Sequence, residues 1–385
     1  MLNRHGLGAA RRAMAEQPAA MSGSSGPACF AQTYAEARAK FLAAVGAAGL
    51  DAHSHAHPLL GRDGEALAMD VVRDGPADAA RLLVVSSGCH GVEGFCGSGV
   101  QVALLGDDAF RAAAREAGVA LLHIHALNPY GFSWWRRTTQ ENCDLNRNFH
   151  DFSQPLPANP GYDELAALIV PHDWPPTEAV RAGIERYIAA HGMAAFQAAV
   201  SGGQHGHPEG LFYGGVNPTW SNVTLRHVLR EDARDARRLG WIDLHTGLGP
   251  SGHGEHIFAC RDDAAALARA RAWWGADRIT STYDGSSTSA PLTGLMMNAA
   301  YEECPQAEYT GIALEYGTVP LMEVMDALRA DQWLENHPET DDARRAQIKR
   351  QVRDAFYTDT DAWKEQVLAQ ARQAALLAVR GLAAG

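Results

Sequence analysis

Apolar residues recur along the chain in two patterns, as short continuous runs and as longer stretches with helical spacing. The short runs predict strands at residues 67–72, 81–86, 119–126, 240–244, 256–260 and 311–315. The longer stretches predict helices at residues 30–45, 98–117, 177–199, 221–239, 262–274, 321–333 and 341–382, the last broken near 357–361. Capping residues stand at the start of four of these helices, namely Ser98, Thr177, Ser221 and Asp262. The alternation predicts an α/β fold in which helices flank both faces of a mostly parallel or mixed central sheet.

The two ends of this pattern suggest how the chain is organised. Residues 1–27 show no lasting periodicity and lack the apolar segment of a secretory signal, so we expect a flexible leader there, with Met21 as a second possible start. Residues 28–385 are expected to form a single α/β catalytic domain. The proline-rich stretch 154–176 is interpreted as a long loop within that domain, because the motifs on either side of it point to one site.

Composition narrows the classes of function. The 385 residues carry 33 Lys and Arg against 45 Asp and Glu, a net charge of −12 that argues against nucleic acid or an anionic membrane surface as a partner. No run of about 18 apolar residues is present, so no membrane span is expected. Six cysteines without a C-x-x-C pair indicate reduced thiols and a cytoplasmic enzyme. The oligomeric state is left open.

The first candidate site follows the strand predicted at 81–86. A glycine turn comes next, and it carries His90 and Glu93 three residues apart. In a sharp turn these two side chains can face one point, where they would supply two of the three protein ligands of a hydrolytic zinc. A surface turn with incidental polar residues is the alternative.

Two further strand ends carry residues of the same chemistry. His245 closes the run 240–244, and Asp243 lies on the same face of that strand, either orienting His245 or pairing with another charge. Glu315 ends the run 311–315, where a buried carboxylate must be paired or act as a base. Because ligands in open α/β sheets gather beyond the carboxyl ends of the strands, we expect all of these residues at one site.

A polar segment after the strand at 119–126 adds positive charge. It contains Arg136, Arg137, Asn146 and Arg147. Guanidinium groups bind carboxylates in a bidentate manner and stabilise an oxyanion that develops on a carbonyl. The alternative is an arginine network around Asp144 that only holds a loop.

Taken together, the four motifs resemble the zinc carboxypeptidase (M14-like) superfamily. The residues that carry the resemblance are His90-x-x-Glu93, the Asn146–Arg147 pair within D-L-N-R-N-F, His245 within D-L-H, and Glu315 on a late strand. Within the superfamily the chain is most similar to the DUF2817 family, beside the aspartoacylase and succinylglutamate desuccinylase branch. The match covers roughly residues 60–320 in the right order.

The resemblance implies a role for each matching residue. It implies one Zn²⁺ per chain held by His90, Glu93 and His245, with Glu315 as general base and acid. Asn146 and Arg147 would bind the substrate carboxylate, and either Arg137 or Arg136 would polarise the scissile carbonyl. The tyrosine that peptidase members place near the substrate matches Tyr283, Tyr309 or Tyr316.

The predicted function is therefore that of a zinc-dependent hydrolase cleaving an amide bond next to a free carboxylate, in a small peptide or an acyl-amino acid. Two alternatives stay open: an aspartoacylase-like N-acyl amino acid deacylase, and a catalytically inert zinc-binding module. A serine hydrolase is excluded by the absence of a G-x-S-x-G motif. Two other histidine-rich stretches, at 53–57 and 252–256, are interpreted as solvated loops.

Overall fold

Eight strands form one mixed sheet in the part of the chain that this computed structural model describes, residues 26–384. Their order is β1-β2-β4-β3-β5-β8-β6-β7. The strands are β1 (Ala52–Leu60), β2 (Ala66–Asp74), β3 (Arg81–Ser87), β4 (Ala120–His125), β5 (Arg238–Ser251), β6 (Gly254–Phe258), β7 (Ile279–Thr280) and β8 (Glu308–Gly317). The leader expected over residues 1–27 lies, apart from its last two residues, outside the described part.

Four parallel strands make the centre of the sheet. β4, β3, β5 and β8 run parallel to one another, whereas β1 and β2 are antiparallel at one edge and β6 is antiparallel to β8 near the other. In β3 every residue after Arg81 is buried, which explains its continuous apolar run, because both faces of an interior parallel strand are covered. The predicted mixed α/β fold is confirmed.

Thirteen α-helices flank the sheet in the described residues. They are α1 (Tyr34–Ala47), α2 (Gly94–Leu105), α3 (Asp108–Glu116), α4 (Pro129–Ser133), α5 (Pro160–Ile169), α6 (Glu178–His191), α7 (Met193–Ser201), α8 (Trp220–Asp232), α9 (Ala264–Trp274), α10 (Ala299–Glu303), α11 (Leu321–Asn336), α12 (Asp342–Phe356) and α13 (Asp361–Ala383). The predicted break near 357–361 is confirmed between α12 and α13. Although α13 has 23 residues, no described helix combines the length and the apolarity needed to cross a membrane.

Several predicted boundaries are wrong for local reasons. The helix predicted at 98–117 is two helices, because Asp107 interrupts it and caps α3 by accepting a hydrogen bond from the backbone N of Phe110. The helix predicted at 177–199 breaks at Gly192, whose φ of 85° favours glycine. Of the four predicted caps only Thr177 holds that position.

Two stretches interpreted as loops contain strands, and a third contains a helix. Residues 53–57 belong to the edge strand β1, where alternate histidines share a face, and residues 254–256 open the buried strand β6. Within the proline-rich stretch lies α5, which begins at Pro160 because proline is well tolerated in the first turn of a helix. Polar composition concealed all three elements.

Candidate metal centre and substrate cavity

The carboxyl ends of three central strands meet at one open cavity. His90 and Glu93 follow β3 in a short 3₁₀ turn, His245 lies in β5, and Glu315 lies in β8. His245 and Glu315 are register partners across the β5–β8 pairing, so their side chains project on the same side of the sheet. All four residues line the cavity.

His90, Glu93 and His245 bring their ligand atoms to one point, all within 4.8 Å of one another. The Nδ1 atoms of the two histidines are 3.3 Å apart, and the Glu93 carboxylate lies 2.9 Å from Nδ1 of His90 and 3.2 Å from Nδ1 of His245. None of the three is more than 4% exposed. Two imidazole nitrogens and one carboxylate are a donor set typical of hydrolytic zinc, so these residues fit that ion.

Two aspartates contact the outer nitrogens of these histidines. Nε2 of His90 lies 3.2 Å from Oδ1 of Asp144, and Nε2 of His245 contacts the carboxylate of Asp243. At His245 a carboxylate on Nε2 holds the proton there and leaves Nδ1 free to bind a metal. Asp243 is held in turn by the hydroxyl of Ser86, which accepts a hydrogen bond from the Trp241 indole. Sequence reasoning linked Asp144 only to arginines, although it stands in the same D-L-N-R motif.

The electrostatics of this cluster favour a positive charge at its centre. Burial alone would lower the pKa of His245, but Asp243 and Glu93 raise it well above its ordinary value. Burial likewise opposes ionisation of Glu93, yet His90 and His245 lower its pKa below the ordinary range. These carboxylates favour positively charged imidazoles. A bound cation would supply that positive charge in place of the protons.

Backbone hydrogen bonds fix the turn that carries His90 and Glu93. The backbone N atoms of Gly91 and Val92 donate to the carbonyl oxygens of Arg137 and Arg136, over 3.1 and 2.8 Å. The approach is so close that a Cβ on Gly91 would lie 2.1 Å from the carbonyl carbon of Gly131. The glycine in the H-G-V-E sequence therefore lets the two segments touch.

The two adjacent arginines point to different surroundings. Arg137 lines the cavity, with Nη2 2.8 Å from Nε2 of His90 and Nε donating to Asp144 over 2.9 Å. Arg136 points away from the cavity toward α11, where it pairs with Asp331 and Glu335, both at 3.4 Å. The structure therefore places Arg136, which was expected to bind substrate, outside the cavity-lining residues, with its guanidinium buried in this ion network.

Arg147 is buried beside the cavity without a carboxylate partner in the described part of the chain. It is 3% exposed, and three of its N–H groups donate to backbone carbonyls, two to Ser201 and one to Asn146. Because a guanidinium has five donors, two remain for a ligand. Burial lowers the pKa of Arg147 to about 10, so an incoming anion would stabilise the charged form. Asn146 also lines the cavity, and its side-chain oxygen accepts a hydrogen bond from the backbone N of Met296.

Glu315 is set apart from the three candidate ligands. Its Oε1 accepts a hydrogen bond of 2.9 Å from the backbone N of Leu248. Burial, with the neighbouring Glu93 carboxylate, raises the pKa of Glu315 to about 8. A carboxyl group with a pKa near neutrality can both take up and release a proton.

One of the three candidate tyrosines reaches the cavity. Tyr283 lines it, is 49% exposed, and donates a hydrogen bond from its hydroxyl to the carbonyl oxygen of Cys260. Tyr309 and Tyr316 are at most 3% exposed and do not line it, and the Tyr316 hydroxyl donates to Val367. Of the three, Tyr283 is therefore the one placed to meet a substrate.

Comparison with solved structures finds carboxypeptidases at low identity. Thrombin activatable fibrinolysis inhibitor is 12% identical, with 90% of this chain and 74% of that chain covered and a TM-score of 0.46. Carboxypeptidase A from Helicoverpa armigera is 11% identical, with coverage of 84% and 74% and a TM-score of 0.42. Metallo-carboxypeptidase from Burkholderia cenocepacia is 10% identical, with coverage of 89% and 67% and a TM-score of 0.39.

Comparison with curated proteins finds no match to this chain. A family model described as "Protein of unknown function (DUF2817)" matches residues 30–370. That match includes every residue of the candidate metal centre and every residue that lines the cavity.

Proposed function

This chain belongs to the DUF2817 family, as its motifs predict, and we propose that it is a zinc-dependent hydrolase that cleaves an amide bond next to a free carboxylate. The observation that carries the proposal is one cavity lined by three convergent metal ligands and by Arg147, a buried cation without an ion-pair partner in the described residues. A metal beside an anion site is what hydrolysis of a carboxylate-bearing amide needs.

Each residue takes one task in this proposal. His90, Glu93 and His245 would hold one zinc ion per chain, which supplies an activated water and polarises the scissile carbonyl. Arg147, with Asn146, binds the substrate carboxylate and so fixes the position of the amide. The guanidinium of Arg137 donates hydrogen bonds to the carbonyl oxygen as negative charge develops on it.

Glu315 moves the proton. Because Oε1 is held by Leu248, Oε2 is the atom that accepts the proton of the attacking water and delivers it to the leaving nitrogen. That delivery is required, since an amine anion is a very poor leaving group.

The substrate is proposed to be a small peptide or an acyl-amino acid. An inert zinc-binding module is less well supported, because a structural zinc has four protein ligands and needs neither Glu315 nor Arg147. The proposed location is the cytoplasm, since Cys89, Cys96, Cys143, Cys260 and Cys304 are buried free thiols.

The deciding experiment measures metal content and turnover together. We expect about one zinc per chain, loss of hydrolysis on chelation, and recovery when zinc is returned. A panel of dipeptides and N-acyl amino acids, each as free acid and as amide, separates the two substrate types. Full activity in metal-free protein would disprove the proposal.

The variant Glu315→Gln tests the proton transfer. It keeps the shape and the hydrogen bond from Leu248 but cannot carry the proton, so turnover should fall at least ~10²-fold with near-normal zinc content. Substantial remaining turnover, or joint loss of zinc and turnover, would remove Glu315 from this role.

A further inference from the structure

We infer that the substrate is apolar on both sides of the scissile amide, that is, an apolar amino acid carrying a bulky apolar acyl group. This inference rests on the proposed function and adds the substrate class. It comes from the two apolar walls that adjoin the polar end of the cavity.

The first wall adjoins the carboxylate-binding residues. The carbonyl oxygen of Ser201, at the end of α7, accepts two hydrogen bonds from Arg147, so the α7 residues Phe196 and Val200 line the cavity next to that guanidinium. α7 is held in place by Asn159, whose side-chain amide donates to the carbonyl oxygens of Ala199 and Gly203. A group attached close to the bound carboxylate, such as an amino-acid side chain, meets this wall first.

The second wall lies beside Glu315. Leu248, which donates its backbone N–H to Glu315, lines the cavity. A Cβ built on the neighbouring Gly247 would lie 3.0 Å from the Phe356 ring and 3.8 Å from Val324 of α11, which places both cavity-lining side chains against this strand end. The acyl side of the amide, across the proposed metal from the carboxylate, would meet this wall.

The distribution of charged residues around the cavity indicates which substrate side chains these walls can accept. The carboxylates that line the cavity are Glu93 and Glu315, and the arginines are Arg137 and Arg147, all at the polar end. In the described residues no other acidic or basic side chain, histidines apart, lines it. A lysine, arginine or aspartate side chain in the substrate would therefore be buried against apolar walls without a counter-charge, which is costly.

The mouth of the cavity is apolar as well. Eight large apolar side chains are conspicuously exposed in the described residues, and four of them lie at this cavity: Met193, Tyr283, Leu321 and Met322, 40–50% exposed. Scattered exposed apolar residues need no explanation, but a group around one opening is typical of a site for an apolar ligand. Methionine side chains adapt to ligands of different shape.

The test compares four ligands on the full-length zinc-loaded protein: N-decanoyl-phenylalanine, N-acetyl-phenylalanine, N-decanoyl-lysine and N-decanoyl-aspartate. Hydrolysis gives kcat/KM, and calorimetry on the Glu315→Gln variant gives binding without turnover. N-decanoyl-phenylalanine should exceed each of the others at least ~10-fold in both measurements. The acetyl compound probes the acyl wall, and the lysine and aspartate compounds probe the wall beside Arg147.

A pair of surface variants ties the preference to this cavity. Met322→Glu places a charge at the mouth and should weaken N-decanoyl-phenylalanine at least ~10-fold. Val223→Glu is the matched control, because Val223 is 52% exposed on α8 and lies outside the cavity, and it should change nothing. Since Met322 is 49% exposed, its replacement should not unfold the protein.

The outcomes separate this inference from the proposed function. Binding that prefers N-decanoyl-phenylalanine and responds to Met322→Glu, without hydrolysis of any compound, would support the apolar ligand class and refute the proposed activity. Hydrolysis of the acetyl or charged compounds as fast as N-decanoyl-phenylalanine would overturn the inference and leave the activity standing. Equal effects of the two glutamate variants, or none from Met322→Glu, would also overturn it.

Discussion

The polar end of the cavity and its apolar walls are built in different ways. At the polar end most charged side chains have several polar partners; His90, for example, contacts Glu93, Asp144 and Arg137 within 3.2 Å. The walls come from α7, α11, Leu248 of β5 and Phe356 of α12, and the side chains that they present to the cavity are mainly apolar. Catalysis requires the reacting groups at fixed positions, whereas binding of an apolar group requires mainly an apolar space of suitable size.

Removal of a proposed zinc ligand at the polar end should have the greatest effect on the protein. His245→Ala removes one of three proposed ligands, so zinc affinity should fall at least ~100-fold and turnover should be lost with it. The apolar side chains of both walls are retained in this variant, so binding of N-decanoyl-phenylalanine should fall much less than turnover does. Zinc titration against a chelator and calorimetry measure the two quantities. Unchanged zinc affinity would refute the ligand assignment.

Replacing Arg147 tests the place where the polar end meets the apolar wall formed by α7. Arg147→Ala should weaken transition-state binding of substrates with a free carboxylate by roughly 2–5 kcal/mol and leave amidated substrates nearly unaffected. Arg136→Ala is the neighbouring control: it disrupts the ion pairs with Asp331 and Glu335 and should not alter the ratio between acid and amide. The measurement is kcat/KM for matched pairs. An acid-to-amide ratio that Arg147→Ala leaves unchanged would contradict carboxylate binding by Arg147.

The most gradual expected effect is a pH dependence of stability that belongs to the polar end. The pKa of Glu315 is about 8 in the folded chain against an ordinary 4.5, so the folded state binds the proton more tightly than the unfolded state does. This contribution is fully present below pH 4.5 and is lost as the pH rises through 8, with a slope of at most about 1.4 kcal/mol per pH unit. Urea unfolding of metal-free protein at several pH values, compared with Glu315→Gln, isolates it. Parallel curves for the two proteins would contradict the raised pKa.

The sequence predicted the centre of the molecule better than its margins. Strands β3, β5 and β8 were visible because buried parallel strands are continuously apolar, and the residues at their carboxyl ends could be assigned to one place by topology alone. The edge strand β1 was missed because only one of its three histidines, His57, is buried, so its pattern is typical of a loop.

Other features of the site depend on contacts that a sequence does not show. The sequence alone does not distinguish Arg136 from Arg137. Their side chains point in different directions in the fold, where the backbone carbonyls of both residues accept hydrogen bonds from the turn after His90. The walls combine α7 with α11, more than 100 residues away, and nothing in either amphipathic pattern indicates which residues face a cavity.

The strand order also bears on how the protein would be made on the ribosome. β8 is the last strand in the chain, yet it lies between β5 and β6, so β6 and β7 join the sheet only after β8 has emerged. By then His90, Glu93 and His245 have long been translated, while Glu315 arrives with β8 itself. Because a domain generally folds as a unit, the proposed ligands are expected to come together only once β8 has been translated and fills the gap between β5 and β6. A translation product that stopped before residue 308 would then carry every proposed ligand and lack both the complete sheet and the proposed proton carrier.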